Sequence, residues 1–332
     1  MNLTTLVTST FPDDMNTNSS IRRFMTDGFR ELLGAEAVYE APVHLAAEEI
    51  LRRQPSIVIA IGSIIPDTVN LWGLRLACDK ANSLLSFWLH DDPYEYDYSF
   101  KALKTADIIF TCDASTKFYY NFSKIHHLPM AASPKAHLSK FIPYAKRSTD
   151  VLFCGFAYSN RIKLIMQAKT ILAKHRTRVL GANWPGFLHF AENRMVPNET
   201  LAKLYAGSRF TLNLGRQFNI ANRTHDLAAS TPGPRTFEAA MAGTVQLFFA
   251  DSLEILKYFK VNEEILLFDN IDELDSYLSN LDNERLEKIA LAAQRRALEE
   301  HTYMRRAESV MRHAFPSFQP MQSGKTPVGA ST

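Results

Sequence analysis

Near residue 235 the chain combines residue types that suit an anionic ligand. Gly233-Pro234-Arg235-Thr236 opens a predicted helix, with the proline near the first turn, where its missing N–H costs least. The start of a helix offers unpaired N–H groups and the positive end of the helix dipole to an anion such as a diphosphate. Arg235 adds a permanent cation, and Glu238, about one turn further on, could accept hydrogen bonds from a ribose diol. Taken alone, the segment is interpreted equally well as an ordinary capped helix with a solvated arginine and glutamate.

A second candidate lies between residues 151 and 163, where a predicted strand runs through Gly155 into a short loop and then a helix. The glycine would let a ligand approach the backbone closely, and Arg161 could reach a phosphate. Tyr158 in the loop and Lys163 in the helix are further candidates. The spacing is neither a Walker loop nor G-x-G-x-x-G, so the segment alone favours a purely structural role.

Acidic and aromatic residues crowd into the loop that follows a predicted strand at 84–89. His90, Asp91 and Asp92 are followed by two more acidic residues and three tyrosines before residue 99. A carboxylate here could position or deprotonate an acceptor hydroxyl, whereas a capping aspartate ahead of a turn is the simpler alternative. Adjacent side chains in extended backbone diverge, which argues against a metal at Asp91 and Asp92. The scattered histidines show no H-E-x-x-H or H-x-x-x-H spacing, so no metal site is predicted.

The elements that must position these residues alternate between short apolar runs and helical stretches along the whole chain. Continuous apolar strands separated by helices predict parallel sheets covered on both faces. Between residues 128 and 149 spaced prolines interrupt the pattern, and a second α/β unit follows, with a helix predicted over 161–175 and helical sequence over 282–314. Loops after strands are candidate sites, because ligands of open α/β sheets bind at the carboxyl ends of strands. The predicted strands are 3–9, 57–61, 84–89, 108–112, 151–154, 178–180, 210–214, 245–249 and 265–268.

Composition and net charge limit the classes of protein to which the chain can belong. The 332 residues include 37 Lys+Arg and 35 Asp+Glu, a net charge of +2 that argues against a strong nonspecific grip on nucleic acid. No apolar run is long enough to cross a bilayer and no signal peptide is visible, so a cytoplasmic location is expected. Three widely spaced cysteines indicate buried thiols of a reduced compartment rather than disulfides.

With these segments assembled, residues 84 to 312 resemble the CgeB-like, spore-maturation-protein-type glycosyltransferases of GT-B fold. Between the last two of the segments that carry the likeness, 196–199 to 204–205, followed by 210–214, look like the family's stretch ahead of its arginine–glutamate motif. The segments that carry the likeness are His90-Asp91-Asp92-Pro93, Leu128-Pro129-Met130-Ala131-Ala132, 150–155 running to Arg161, and 235–243.

The resemblance implies two facing Rossmann-like, doubly wound domains with a cleft between them, the second holding a nucleotide-sugar and the first an acceptor. With the boundary that the spaced prolines place near residue 148, it implies residues 1–147 as the acceptor-side domain, 148–300 as the donor domain and 301–315 as a helix returning to the first domain. Residues 316–332 are rich in Pro, Ser, Gly and Thr, and this composition predicts a disordered tail. It further implies no metal or other cofactor, a ribose contact for Glu238, and diphosphate contacts for Arg161 and Arg235. The donor-side candidates are Gly155, Tyr158, Arg161, Lys163, Asn213, Gly233, Arg235, Thr236 and Glu238, and the acceptor-side catalytic candidates are His90, Asp91 and Asp92.

Many related retaining enzymes carry a second glutamate eight positions before the ribose glutamate, and here that position is Ser230. Donor-sugar contacts and the stereochemical course therefore stay open. The leading hypothesis is sugar transfer from a nucleoside-diphosphate sugar to an acceptor hydroxyl of a glycan, a lipid-linked glycan, a protein or a DNA base. The alternatives are a GT-B sugar-nucleotide epimerase and a non-catalytic nucleotide-sugar-binding protein.

The last predicted helices are rich in arginine, which raises the question of a basic face for a membrane surface or nucleic acid. Glutamates alternate with these arginines, so a solvated helix is the favoured interpretation and a weak basic contact the alternative. The residues concerned are Arg295, Arg296, Arg305, Arg306 and Arg312, with Glu299, Glu300 and Glu308 between them.

Overall fold

The computed structural model describes residues 3–13, 19–65 and 70–320. They form two parallel six-stranded sheets in the orders β2-β1-β3-β4-β5-β6 and β12-β11-β10-β7-β8-β9. The prediction of two doubly wound α/β units is thus confirmed. The first sheet consists of β1 (Thr5–Ser9), β2 (Val38–Glu40), β3 (Ile57–Ile61), β4 (Leu84–Leu89), β5 (Ile108–Thr111) and β6 (Ile125–His127). The second consists of β7 (Thr149–Cys154), β8 (Thr177–Gly181), β9 (Ala191–Asn193), β10 (Ser208–Asn213), β11 (Val245–Phe249) and β12 (Leu266–Phe268).

Twelve α-helices connect and cover these strands within the described ranges. The first five, around the first sheet and the linker, are α1 (Ser19–Leu33), α2 (Val43–Arg53), α3 (Leu71–Ala81), α4 (Phe100–Leu103) and α5 (Pro134–His137). The others are α6 (Ser159–Gln167), α7 (Lys169–Leu172), α8 (Asn198–Ala206), α9 (Pro234–Ala242), α10 (Ile271–Asn280), α11 (Asn283–Glu300) and α12 (Tyr303–Ala314). No helix among the described residues is both long and apolar enough to traverse a membrane.

The central strands follow directly from their sequences. All five residues of β3 are buried, as expected of a β-branched run covered by helices on both faces. Three strands were not predicted, namely β2, β6 and β9. Each has three residues and lies at or next to a sheet edge, and β9 reads Ala-Glu-Asn, so none carries an apolar run. The helix predicted over 161–175 is two helices that meet at Ala168.

The carboxyl-terminal helix α12 packs along α1 of the first unit. Gly28 makes the close approach possible, because a Cβ there would lie 2.5 Å from the carbonyl carbon of Tyr303. The buried Arg306 guanidinium donates to the carbonyls of Pro129, Met130 and Glu300, which fastens α12 to the linker. Of the tail predicted to be disordered over 316–332, Phe318 packs against the core, and residues 321–332 lie outside the described part of the chain.

Candidate functional site

A cleft of about 710 Å³ lies between the two units. Its walls are the loops after β4 and β5 of the first sheet, the loops after β10 and β11 of the second, and the start of α9. These are carboxyl ends of parallel strands, where open α/β sheets bind their ligands. The interdomain cleft therefore lies where the sequence predicts a site.

Arg161 lines this cleft and is held by backbone carbonyls. Its guanidinium donates to the oxygens of Leu214, Gly215 and Phe156 at 3.0–3.2 Å. These bonds use three of the five N–H groups of an arginine. Burial lowers the pKa of Arg161, and the nearby carboxylate of Asp251 acts in the opposite direction. The side chain is therefore a fixed cation that can accept an anionic partner.

A second cation in the cleft, Arg216, was not singled out from the sequence. It pairs with Asp91 of the first unit at 3.4 Å and lies over the ring of Tyr94, with 4.0 Å from guanidinium carbon to ring centroid. Arg161 and Arg216 also lie 5.0 and 5.3 Å from the ring centroid of Tyr158. Two guanidinium groups thus lie around one tyrosine, with the Asp91 carboxylate beside Arg216 and the Asp251 carboxylate near Arg161. This wall of the cleft therefore presents two half-buried cations to a ligand.

The start of α9 forms an adjoining wall. Gly233 to Thr236 line the cleft, with the proline in the first turn as predicted. Arg235 also lines it and forms an ion pair with Glu238 one turn later. Glu238 itself is buried outside the lining, and its other oxygen lies 3.7 Å from Nε2 of His137. Because Nδ1 of His137 accepts the N–H of Ser133 at 2.9 Å, Nε2 carries the proton that faces the carboxylate.

The acidic loop after β4 separates its two aspartates. The Asp91 carboxylate lies in the cleft, 3.3 Å from Nε2 of His90 and beside Arg216. Asp92 is 5% exposed, and both of its carboxylate oxygens lie 2.8 Å from the hydroxyl of Tyr120. Burial raises the pKa of Asp92 to about 7. Both residues line the cleft. The Asp91 side chain is the more exposed of the two, at 21%, and can meet a ligand, whereas both oxygens of Asp92 contact the Tyr120 hydroxyl.

The remaining candidates from the sequence differ in whether they line the cleft. Asn213 ends β10, lines the cleft and donates to Gln246. Gly155 lies outside the lining and packs under Gly181, where a Cβ would be 2.0 Å from the Gly155 oxygen. Lys163 is exposed and does not line the cleft. The prediction for Lys163 is corrected because two residues along a helix turn a side chain through about 200°, away from the wall to which Arg161 belongs.

Asp113, at the end of β5, is the cleft carboxylate that the sequence reasoning missed. One oxygen accepts hydrogen bonds from the N–H and hydroxyl groups of Ser115 and Thr116 in its own loop. The other accepts from the N–H and hydroxyl of Ser230 and the N–H of Thr231, in the second unit. Burial alone would raise its pKa, but these bonds hold it below the usual value. Its position directly after a predicted strand was the available signal.

A metal centre has no obvious ligands here. Within residues 3–13, 19–65 and 70–320, no group of three or more His, Cys, Asp or Glu side chains is arranged to hold an ion.

Part of this chain is similar in sequence to known glycosyltransferase-like proteins. Residues 161–312 match a family model described as glycosyl transferase-like. The spore protein CgeB of Bacillus subtilis (strain 168) is 25% identical over 174 residues, covering 48% of this chain. The match spans 54%, about half, of the length of that curated relative. Both likenesses confirm the resemblance to CgeB-like glycosyltransferases.

Solved structures of similar fold cover nearly the whole chain. A glycosyltransferase from Rickettsia africae ESF-5 has a TM-score of 0.65 at 12% identity, over 95% of this chain and 98% of that one. Anabaena Alr3699/HepE in complex with UDP and glucose has a TM-score of 0.60 at 11% identity, over 93% and 98%. AviGT4, a glycosyltransferase involved in avilamycin A biosynthesis, has a TM-score of 0.59 at 16% identity, over 94% and 96%. These likenesses establish a GT-B fold.

Proposed function

We propose that the protein is a glycosyltransferase that moves a sugar from a nucleoside-diphosphate sugar to an acceptor hydroxyl. The observation that carries the proposal is the group of cations in the interdomain cleft, where Arg161, Arg216 and Arg235 line the same cleft as the start of α9. A diphosphate leaving group gains negative charge as the sugar departs, and preformed donors stabilise that charge most. The relatives support the same chemistry, since several are named glycosyltransferases and one binds UDP and glucose.

In this mechanism Arg161 and Arg216 face the departing diphosphate together with the N–H groups at the start of α9. Arg235 lies one turn from Glu238 and its side chain is 38% exposed, so it adds a further cation at the same end of the helix. Glu238, which is buried beside Arg235 and outside the cleft lining, is assigned to the ribose diol on the resemblance to the family. A carboxylate offers about four lone-pair sites, so it can accept from a ribose hydroxyl while still accepting from Arg235.

Asp91 is the acceptor-side candidate for the general base, because its carboxylate faces the cleft and His90 lies beside it. We also propose that the reaction needs no metal ion. Arginine side chains and helix N–H groups would stabilise the negative charge on the departing diphosphate, which a metal cation stabilises in other enzymes. It predicts unchanged turnover after removal of divalent ions with EDTA. Restoration of activity only by added Mg²⁺ or Mn²⁺ would contradict that part.

The direct test is single-turnover release of nucleoside diphosphate, after a thermal-shift panel of UDP, GDP, TDP and their sugars has identified the donor. Arg161→Ala and Arg235→Ala are expected to lower the rate by about 10²–10³, the effect typical of losing one charge-stabilising donor. Lys163→Ala, on the same helix as Arg161 but outside the cleft, is the matched control and stays within about twofold. Arginine variants that release product like the wild type refute the assignment.

The reaction class is read from the products. A transferase needs an acceptor and yields free nucleoside diphosphate. A sugar-nucleotide epimerase would change the donor sugar with no acceptor present. Tight donor binding without turnover across an acceptor panel would favour a binding protein.

A further inference from the structure

The residue at the position of the missing family glutamate, Ser230, meets two carboxylates from elsewhere in the chain. Its hydroxyl lies 3.1 Å from Asp113 of the first unit and 2.8 Å from Glu254 of the second. The neighbouring Thr231 hydroxyl lies 2.9 Å from Glu254 and accepts the N–H of Ala114. A dense polar contact between the units therefore lies four residues before Pro234, where α9 begins.

Asp113 is the centre of this contact. The residue is 1% exposed, and seven N–H or O–H groups lie within hydrogen-bond distance of its two oxygens. Four of these donors belong to its own loop and fix the carboxylate in the first unit. The other three belong to Ser230 and Thr231, at 2.6–3.1 Å. Bonds to an ionised acceptor are stronger than neutral ones, so one carboxylate ties a turn of the second unit to a rigid point of the first.

That turn leads straight into the anion-binding end of the helix. Thr231 is followed by Pro232 and Pro234, whose fixed φ angles restrict the backbone up to the first helical residue. A displacement at Thr231 is therefore passed on to Gly233, which is the N-terminal cap of α9. The N–H groups proposed to bind the diphosphate lie immediately beyond it.

We propose that Asp113 is a positioning residue for the donor site: from the first unit, it holds the Ser230–Thr231 turn and thereby sets the start of α9 for the donor diphosphate. The inference rests on the proposed function for the identity of the ligand. The proposed positioning role requires that both oxygens of Asp113 accept hydrogen bonds. Asparagine keeps the size of the side chain but turns an NH₂ group toward N–H donors on one side, which breaks that set.

Asp113→Asn is the test, and Asp107→Asn is its matched control. Asp107 precedes β5, at the opposite end of that strand, and its carboxylate accepts from Arg75 and the Leu85 N–H at 2.7 Å, both within the first unit. Two measurements are made on each full-length variant. Hydrogen exchange of the peptide spanning 228–236 reports the turn, and isothermal titration with UDP, with the donor KM and kcat, reports the site.

For Asp113→Asn we expect at least tenfold faster exchange at Ser230 and Thr231, and a UDP Kd and donor KM raised at least tenfold. A tenfold change corresponds to about 1.4 kcal/mol, which is within the value of a hydrogen bond to a charged group. The acceptor KM stays within about twofold, and Asp113→Glu, which keeps the charge, recovers part of the UDP affinity. Asp107→Asn leaves exchange at Ser230 and Thr231 and the UDP affinity unchanged.

Unchanged exchange in Asp113→Asn overturns the tie between the units. Faster exchange with an unaltered UDP Kd overturns the positioning role, as do equal losses in the Asp107 and Asp113 variants. If the wild type itself neither binds a nucleoside diphosphate nor turns over a donor, the proposed function fails. In that case the exchange measurement still decides whether Asp113 holds the turn.

Discussion

Replacing Asp92 by asparagine separates a structural aspartate from a catalytic one. In the folded protein the Asp92 carboxyl is buried, and the Tyr120 hydroxyl lies 2.8 Å from each oxygen. A hydroxyl has one proton to donate, so Tyr120 and Thr111 together offer two hydrogen bonds to a buried carboxylate that has about four lone-pair sites. Burial accordingly raises the pKa of Asp92 to about 7. Asparagine has nearly the same shape and stays neutral at every pH.

The sign and size of the effect follow from linkage. The unfolded chain releases the Asp92 proton near pH 4, whereas the folded protein keeps it until about pH 7. Between these values unfolding releases a proton, so the free energy of unfolding falls as the pH rises. At about 1.4 kcal/mol for each pH unit, the loss from pH 4 to above pH 7 is about 4 kcal/mol. Below pH 4 the contribution is fully present, and the variant lacks this dependence altogether.

Urea unfolding of the wild type and Asp92→Asn, followed at pH 5, 6, 7 and 8, measures the difference directly. We expect the variant to gain about 3 kcal/mol relative to the wild type between pH 5 and pH 8. Parallel stability curves for the two proteins would refute the burial argument. Turnover provides the second readout. Asp92→Asn keeps it within about threefold, whereas Asp91→Asn loses about 10²-fold or more, as expected of a general base. A comparable loss in Asp92→Asn would make Asp92 the base.

Three further substitutions test how the units are held together. Arg306→Met leaves the carbonyls of the linker without their donor and is expected to cost about 3 kcal/mol of unfolding free energy, measured by urea midpoint. Gly28→Ala places a Cβ 2.5 Å from backbone atoms of Tyr303, which forces α12 away from α1. It is expected to lower the unfolding temperature by several degrees, and no change in calorimetry would contradict the close approach. Arg216→Ala frees Asp91 from its ion pair, and we expect a donor KM raised about tenfold.

Most of the fold could be predicted from the sequence, because residues that are close together in the chain indicate each strand and each helix start. The β3 run of Ile57 to Ile61 and the β11 run of Val245 to Phe249 are both predicted with their observed bounds, since the first is wholly apolar and the second is apolar except for Gln246. The short edge strand β9 was not predicted, because a partly exposed strand of three residues needs no apolar pattern. The start of α9 was predicted from Pro234 because proline at that place has a local physical reason.

Only some residues of the candidate site could be predicted from the sequence. Arg161, Arg235 and Asp91 each follow a predicted strand or begin a predicted helix, so chain order brings them to the carboxyl edges of the sheets. Arg216 also follows a predicted strand, by two residues, so its position was an available signal. What the sequence does not give is its ion-pair partner Asp91, 125 residues away. Lys163 was wrongly included because the helix start, and hence the face of each residue, was not resolved by the pattern.

The segment between β10 and α9 explains why local reasoning stops at the cleft. It belongs to the second unit by chain order, yet its polar partners are largely in the first. The N–H groups of Ile220 and Ala221 donate to the Tyr94 carbonyl, and those of Arg223 and Thr224 donate to the Asp97 carboxylate. Each backbone N–H group is a strong hydrogen-bond donor, and the acidic loop after β4 supplies acceptors for these four. The same acidic crowding that suggests chemistry at residues 90–98 thus also anchors the opposite wall. Residue type alone does not separate those two roles, because both require a carboxylate at the end of a strand, and only the direction of each side chain distinguishes Asp91 from Asp97.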